Sequence, residues 1–247
     1  MIHLGTWQDA AWPEQVDCII TDPPYSERVH GGHNDGTKTA NKIGHAFKAQ
    51  LDYSSLTHEQ AREWGEEWGR RVSTWLVIMC DHDLWNAWRA GAMAAGLYTF
   101  APVFCGIAGM TVRVAADGPA SWGVWMLVAR TSAPAVGDYG RSNDKGQRVR
   151  GWGSLPGYYH TQRDSGYIGG KPLPLMQQIV RDYSRPGMLV ADPCAGHATT
   201  LVAALQSGRQ VWGAECDPAA HAAAVARLER VTAQPQLITE TIQPELL

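Results

Sequence analysis

No Cys-x-x-Cys pair occurs in this chain, no Gly-x-x-x-x-Gly-Lys-[Ser/Thr], and no complete Gly-x-Gly-x-x-Gly. The first absence bears on the five cysteines (18, 80, 105, 194 and 216), four of which lie in or beside apolar strand-like runs. They read as buried free thiols in a reducing compartment. The second absence removes a P-loop, and the third argues against a pyrophosphate site. Apolar runs such as Trp75 to Cys80 and Met188 to Ala191 are far too short to span a bilayer. Met1-Ile2-His3-Leu4 shows no basic segment leading into a long apolar stretch, so no signal peptide, no membrane partner and a cytoplasmic location are expected. A second metal-ligand pair is also missing. His30-x-x-His33 stands alone and reads as solvated loop histidines, so no metal is expected.

What is present is an ordinary globular composition, 45% apolar and 18% charged over 247 residues, room for one large domain or two small ones. The net charge of −3 argues against a chain built mainly to coat nucleic acid but leaves room for a local basic face. Residues 26–50 carry Arg28, Lys38, Lys42 and Lys48 against Glu27 and Asp35. Residues 131–171 carry Arg141, Lys145, Arg148, Arg150, Arg163 and Lys171 against three Asp. The positive charge lies in the two stretches with the least periodic pattern.

Between them the periodicity is clear. Ile2 to Leu4 reads as a short edge strand. Thr57 to Val72 reads as a helix, with Thr57 and Gln60 as a capping box and Ala61, Trp64, Trp68 and Val72 as one apolar stripe. Thr74 to Cys80 is a fully buried strand, followed by Asp81-His82-Asp83, a strand-end loop and helix cap more simply than a catalytic cluster. A second helix carries Leu84, Trp85, Trp88 and Met93 and stops at Gly96. The helix tryptophans read as core. Two further strands fall near Tyr98–Cys105 and Trp122–Ala129, and 131–170 reads as a surface insertion.

Cys18-Ile19-Ile20 is a short buried strand that ends in Thr21-Asp22-Pro23-Pro24-Tyr25. Two prolines fix φ and remove two donors, so the chain leaves the strand in a set direction. Asp22 and the Pro23 carbonyl are then two nearby acceptors with no competing proline N–H, a pair suited to one NH2 group. Tyr25 offers an exposed flat face for stacking a base, a contact worth about 1–3 kcal/mol. A strand-ending turn with a capping Asp accounts for this stretch equally well. Gly31 to Thr39 has loop composition and begins just beyond it, which predicts a lid over whatever binds there.

The last third repeats the pattern of strand, turn and helix. Lys171-Pro172-Leu173-Pro174 opens a helix whose buried side is Leu175, Met176, Ile179, Val180 and Tyr183. The strand Met188 to Ala191 ends in Asp192-Pro193-Cys194-Ala195-Gly196-His197-Ala198-Thr199-Thr200, and a helix follows to Gly208. Small residues between a strand and a helix amino terminus make a close-approach site for a nucleoside or charged ligand. The next strand, Gln210 to Ala214, ends in Glu215-Cys216-Asp217. Glu215 lies about where a carboxylate on the second strand grips ribose hydroxyls, and Asp217-Pro218 caps the next helix.

The pair Asp22-Pro23-Pro24-Tyr25 and Asp192-Pro193-x-x-Gly196-x-x-Thr199-Thr200, with Lys171-Pro172 before the latter, resembles the amino-methyltransferases of DNA. The order, catalytic motif first and cofactor motif second, resembles the circularly permuted β group. The resemblance covers Ile2 to about Arg230. It implies an α/β, Rossmann-like fold with a mostly parallel sheet of about seven strands and helices on both faces. It implies a single domain over 1–247, with a mobile loop at 26–56 and a small basic target-recognition insertion at 131–170. The implied reaction moves a methyl group from S-adenosylmethionine to a flipped-out base in double-stranded DNA, by a monomer or homodimer. Asp22, Pro23, Pro24 and Tyr25 would be catalytic. Asp192, Pro193, Cys194, Ala195, Gly196, Thr199, Thr200, Glu215, Cys216, Asp217 and Lys171 would line the cofactor. Arg28, Lys38, Lys42, Lys48, Arg141, Lys145, Arg148, Arg150 and Arg163 would face DNA.

Asp at the first motif position leans towards N6 of adenine, with N4 of cytosine as the alternative. A catalytically silent DNA-binding protein on the same fold and a nicotinamide-dependent oxidoreductase are the rivals from other classes. The chain departs from the family at Cys194, usually Phe, and at His197-Ala198, usually Ser-Gly. It departs again at Gly5-Thr6, where Gly-Asp is usual and Asp9 is the nearest replacement carboxylate.

Overall fold

The computed structural model describes residues 2–29, 55–108, 123–131, 152, 154–163 and 170–233. Its strands are β1 (Ile2–Leu4), β2 (Val16–Thr21), β3 (Val72–Cys80), β4 (Tyr98–Thr99), β5 (Val103–Ala108), β6 (Gly123–Arg130), β7 (Tyr158–Gln162), β8 (Leu189–Asp192) and β9 (Gln210–Glu215). The helices are α1 (His58–Arg71), α2 (Trp85–Ala94), α3 (Leu173–Tyr183), α4 (Thr199–Gln206) and α5 (Pro218–Ala233). All nine strands join one sheet in the order β1-β9-β8-β2-β3-β6-β5-β7, with β4 also paired to β6. The pairs β1–β9, β9–β8, β8–β2, β2–β3 and β5–β7 are parallel, and β6 runs against its neighbours.

This is the mostly parallel α/β sheet the sequence predicts, with nine strands where about seven were expected. Two local features make up the difference. The stretch Tyr98–Cys105, read as one strand, breaks before Pro102, which cannot donate to a ladder. It becomes the two-residue β4 and a β5 that runs on to Ala108. The second is β7, which lies inside the stretch read as an irregular insertion. Tyr159 and Thr161 point inward and Tyr158, His160 and Gln162 outward, a period-two pattern only five residues long.

The central strands are buried on both faces because neighbouring residues serve different cores. Ile19, Leu76 and Ile78 pack with Trp68 and Trp88 of α1 and α2. Cys18, Ile20, Val77 and Met79 pack with Leu175, Ile179 and Tyr183 of α3 and Ala203 of α4. A near-continuous apolar strand is the signature of such a two-sided position. Of the helix tryptophans expected in the core, Trp68 and Trp88 are fully buried, with rings stacked 5.4 Å apart, and Trp64 and Trp85 are half-buried against it. The capping box also forms, with Thr57 Oγ1 accepting from the Gln60 N–H and the Gln60 side chain from the Thr57 N–H. Close approach of α1 and α2 depends on Gly91, where a Cβ would stand 2.1 Å from the Arg62 carbonyl oxygen.

One cysteine departs from expectation. Cys18, Cys80 and Cys105 are buried and Cys194 is half-buried, but Cys216 is exposed, because it follows the last residue of β9. Among the described residues, no helix is long and apolar enough to cross a membrane.

Candidate active site

In the sheet order, β8 leads to β9 on one side and β2 leads to β3 on the other. The order reverses between β8 and β2, and the crevice at the carboxyl ends of the strands there is where doubly wound sheets bind ligands. Both motif turns sit at that point. Thr21, the last residue of β2, donates from Oγ1 to Asp192 Oδ1 at 2.7 Å, and Asp192 is the last residue of β8. Residues far apart in the chain are thereby joined by a buried hydrogen bond.

On the β2 side, the Asp22 carboxylate is half-buried and held by two donors. Tyr25 donates its hydroxyl to Oδ1 at 2.8 Å, and the Lys171 ammonium pairs with Oδ2. The same ammonium lies 5.2 Å from the centre of the Tyr25 ring, a cation–π distance. Tyr25 is therefore not the exposed ring the sequence predicts. It is half-buried and packs against the core on the α3 face. Its carbonyl accepts from the Leu56 N–H at 3.0 Å, and the next residue, Ser26, bridges to Leu56.

On the β8 side, Asp192 is 2% exposed. Besides Thr21, it accepts from the Cys194 N–H at 3.2 Å and from the Thr200 hydroxyl. Burial pushes its carboxyl up to about 7 against the pull of these hydrogen bonds, and the charge of Asp22 adds to the rise. A carboxyl raised above its unfolded value holds a proton in the native state that the unfolded chain has already released. Stability therefore falls as pH rises from about 4 through about 7, by on the order of 4 kcal/mol. Asp192→Asn keeps an acceptor for Thr21 and removes the titration. Melting curves between pH 5 and pH 8 should show wild-type protein losing about 5–10 °C more than the variant across that range. Parallel pH profiles would refute the assignment.

Gly196 and Glu215 complete this half. Glu215, at the end of β9, accepts from the Gly196 N–H at 2.7 Å through Oε2 and from the Asp217 N–H at 2.8 Å through Oε1. A Cβ built on Gly196 would find nothing within 4 Å, and φ there is +50°, so the backbone turns under open space. The following Ala198 adopts φ +60° while fully buried, a left-handed position normally left to glycine. His197 stands in the place of the usual Ser and is tied to α5 through its backbone. Its carbonyl and Thr199 Oγ1 both accept from Arg227 of that helix, at 2.6 and 3.2 Å. Burial, then Arg227, lowers the His197 imidazole below its usual range. Cys194 is raised well above the thiol range by burial, so it offers no thiolate nucleophile.

The remaining sequence candidates divide clearly. Pro193 and Ala195 are buried in the β8 turn, and Asp217 Oδ1 caps α5 by accepting from the Ala220 N–H at 2.6 Å. Thr6, which follows β1 beside Glu215, donates to Asp9 at 2.6 Å, so a carboxylate does stand near the usual Gly-Asp position. Of the residues expected to face DNA, Arg28 and Arg163 are described. Arg28 Nε donates to Asp83 Oδ2 at 2.7 Å, and Arg163 follows the edge strand β7, its N–H donating to the Ala108 carbonyl at 2.8 Å. Lys38, Lys42, Lys48, Arg141, Lys145, Arg148 and Arg150, with His30 and His33, lie outside the described residues. Among the described residues, no cluster of His, Cys, Asp and Glu is arranged to hold a metal.

Sequence reasoning missed three contributors: Thr21, Asp81, and Lys171 as a partner of Asp22. Asp81, read as a helix cap, does accept from the Leu84 N–H at 2.9 Å, but its other oxygen reaches across to the Ser26 N–H at 2.6 Å. Nothing in local spacing announces contacts that span 55 or 149 residues.

A doubly wound sheet with two motif turns meeting at its switch point has the architecture of a ligand-binding α/β protein. The family model described as DNA methylase, of the N6/N4 amino-methyltransferase type, matches residues 81–226, more than half of the chain. The chain belongs to that family. The match begins beyond the Asp22 turn, which tertiary structure joins to it. A 61-residue segment is 41% identical to YubD of Escherichia coli (strain K12), described as a candidate methylase; the alignment covers 25% of this chain and 27% of that protein's length.

The fold is shared with solved structures at low identity. TTHA0409 of Thermus thermophilus, described as a candidate DNA modification methylase, superposes with a TM-score of 0.63 at 20% identity, over 95% of this chain and 96% of its own. The M1.HpyAVI–SAM complex gives 0.59 at 18% identity, over 92% and 98%. The cytosine-N4-specific PvuII DNA methyltransferase gives 0.60 at 12% identity, over 94% and 89%.

Proposed function

We propose that this DNA methyltransferase transfers a methyl group from S-adenosylmethionine to N6 of adenine in double-stranded DNA, acting on a base turned out of the helix. The observation that supports the reading is the Thr21–Asp192 hydrogen bond, because it sets an amine-accepting turn beside a nucleoside-type turn. The residues present suit the cofactor. Glu215 is an acceptor held in fixed orientation by two backbone donors, matched to a pair of ribose hydroxyls, and the open space over Gly196 admits close approach. Asp192 to Gly196, with Pro193, Cys194, Ala195, Thr199 and Thr200, would form the wall of that pocket, with Cys216 and Asp217 at its rim. When bound, S-adenosylmethionine supplies an electrophilic methyl group.

The chain's own contribution is positioning. An amino nitrogen inside the stack is out of reach, so the base must leave the duplex. The Tyr25 ring takes one face of the base, while Asp22 and the Pro23 carbonyl accept its two amino hydrogens. Those bonds draw the nitrogen lone pair out of conjugation with the ring and make it nucleophilic. Pro23 and Pro24 hold the acceptors still and contribute no competing donor. No covalent attachment to the chain is needed, which agrees with the protonated state that burial imposes on Cys194.

Asp at position 22 supports adenine, and the likeness to a cytosine-N4 enzyme supports N4 of cytosine as the second reading. Transfer of labelled methyl to unmethylated DNA, followed by nucleoside digestion and mass spectrometry, decides between them. N6-methyladenine is the expected product. N4-methylcytosine would overturn the base, and label confined to RNA or protein would overturn the substrate. Binding of S-adenosylmethionine without transfer to any acceptor would favour a silent DNA-binding protein.

A further inference from the structure

The structure assigns Asp81 a positioning role in methyl transfer, an inference that rests on the proposed function and adds a residue to its site. Asp81 is the first residue after β3, where the turn into α2 begins; it is 7% exposed and uses both carboxylate oxygens. Oδ1 accepts from the Leu84 N–H at 2.9 Å, just before α2, and Oδ2 accepts from the Ser26 N–H at 2.6 Å. Ser26 directly follows Tyr25. The carboxylate thus ties the exit of the Asp-Pro-Pro-Tyr turn to the end of a central strand and to the start of a buried helix.

The position of that tie matters because it meets the turn at its exit, one residue past Tyr25. Pro23 and Pro24 have no N–H to give. Its beginning is fixed through Thr21 to Asp192, and its end through Ser26 to Asp81 and through the Tyr25 carbonyl to the Leu56 N–H. Asp83 reinforces the same end, accepting from the Ser26 hydroxyl at 3.3 Å and from Arg28 Nε at 2.7 Å. Tyr25 and Asp22 are bonded to each other at 2.8 Å, so a shift at Ser26 moves the stacking ring and the amine acceptor together. Displacement of a reacting group by about 1 Å costs on the order of 10²-fold in rate. Asp81 touches neither base nor cofactor in this arrangement. It acts through Ser26.

Asp81→Asn tests the assignment, because it is isosteric and one of its two positions becomes an NH2 that faces a backbone N–H. The expected result is a kcat lower by about 10–100-fold, with unchanged S-adenosylmethionine affinity by calorimetry and a melting temperature lower by only a few degrees, the cost of one unsatisfied buried N–H. Asp81→Ser, whose hydroxyl can still serve the Leu84 N–H but is too short for Ser26, should show the same split. Wild-type kcat in both variants would overturn the inference. So would a kcat loss matched by an equal loss of cofactor affinity and thermal stability, which marks a purely structural residue. Wild-type protein run alongside separates the two levels. If wild type methylates DNA and the Asp81 variants match it, the Asp81 assignment alone fails; if wild type methylates no amino group, the proposed function fails first.

Discussion

Asp22→Ala is expected to lower methyl transfer on the order of 10³-fold or more, with S-adenosylmethionine binding nearly intact. In the proposed mechanism Asp22 supplies one of the two acceptors for the target amine, and a methyl group supplies none. The variant has a second consequence. The Lys171 side chain is 10% exposed and loses its carboxylate partner, leaving a mostly buried cation uncompensated. Asp22→Asn separates the two effects. It keeps an oxygen for Lys171 and most of the stability, yet replaces one acceptor edge with an NH2 that opposes the substrate's own. Both variants should be inactive in single-turnover transfer, with the Asn variant melting closer to wild type. Simultaneous loss of transfer and cofactor binding in Asp22→Asn would refute the catalytic assignment.

Lys171→Met is the second large effect. Motif position implies that Lys171 lines the cofactor pocket, whereas the structure sets its ammonium on Asp22 and over the Tyr25 ring. A hydrogen bond to a charged group contributes about 1.5–3 kcal/mol, or about 10–100-fold in rate if it is realised in the transition state. The expected variant has kcat lowered by that factor and unchanged cofactor affinity, because the Asp22 carboxylate loses one of the two donors that fix its rotamer. Lys171→Arg should recover part of the loss, since a guanidinium can reach the same oxygen at a different angle. A Lys171→Met enzyme with weakened cofactor binding and normal kcat would return the residue to the cofactor side.

The elements were largely legible in the sequence, for identifiable reasons. The Thr57–Gln60 capping box, the apolar stripe of α3 and the doubly buried run of β3 are local patterns, and each formed, though β3 begins at Val72, which reads in the sequence as the end of the preceding helix. Where the reading failed, the pattern was too short or was overridden. The five residues of β7 alternate too briefly to stand out from a Gly- and Ser-rich neighbourhood. Pro102 split one expected strand into two, and Cys216 lies one residue past the end of β9, outside the core. Ala198 stood out in the sequence only as a departure from the usual glycine; that the position is left-handed is a consequence of how β8 meets α4.

The candidate site divides along the same line. Sequence alone singled out the two turns that the proposed function uses: Asp22-Pro23-Pro24-Tyr25 has its acceptors and stiffness written locally, and Gly196 with Glu215 has the spacing of a ribose-binding turn. Covalent proximity is enough to define each of them. Only the tertiary structure decided what holds them in relation to one another. The Thr21–Asp192, Asp22–Lys171 and Ser26–Asp81 contacts join residues from 55 to 171 positions apart, and their partners meet because parallel strands bring their carboxyl ends to one edge of the sheet. No local pattern encodes such a meeting. It arises from the order in which β9, β8, β2 and β3 pair, and that order is set by burial of both faces of the sheet at once.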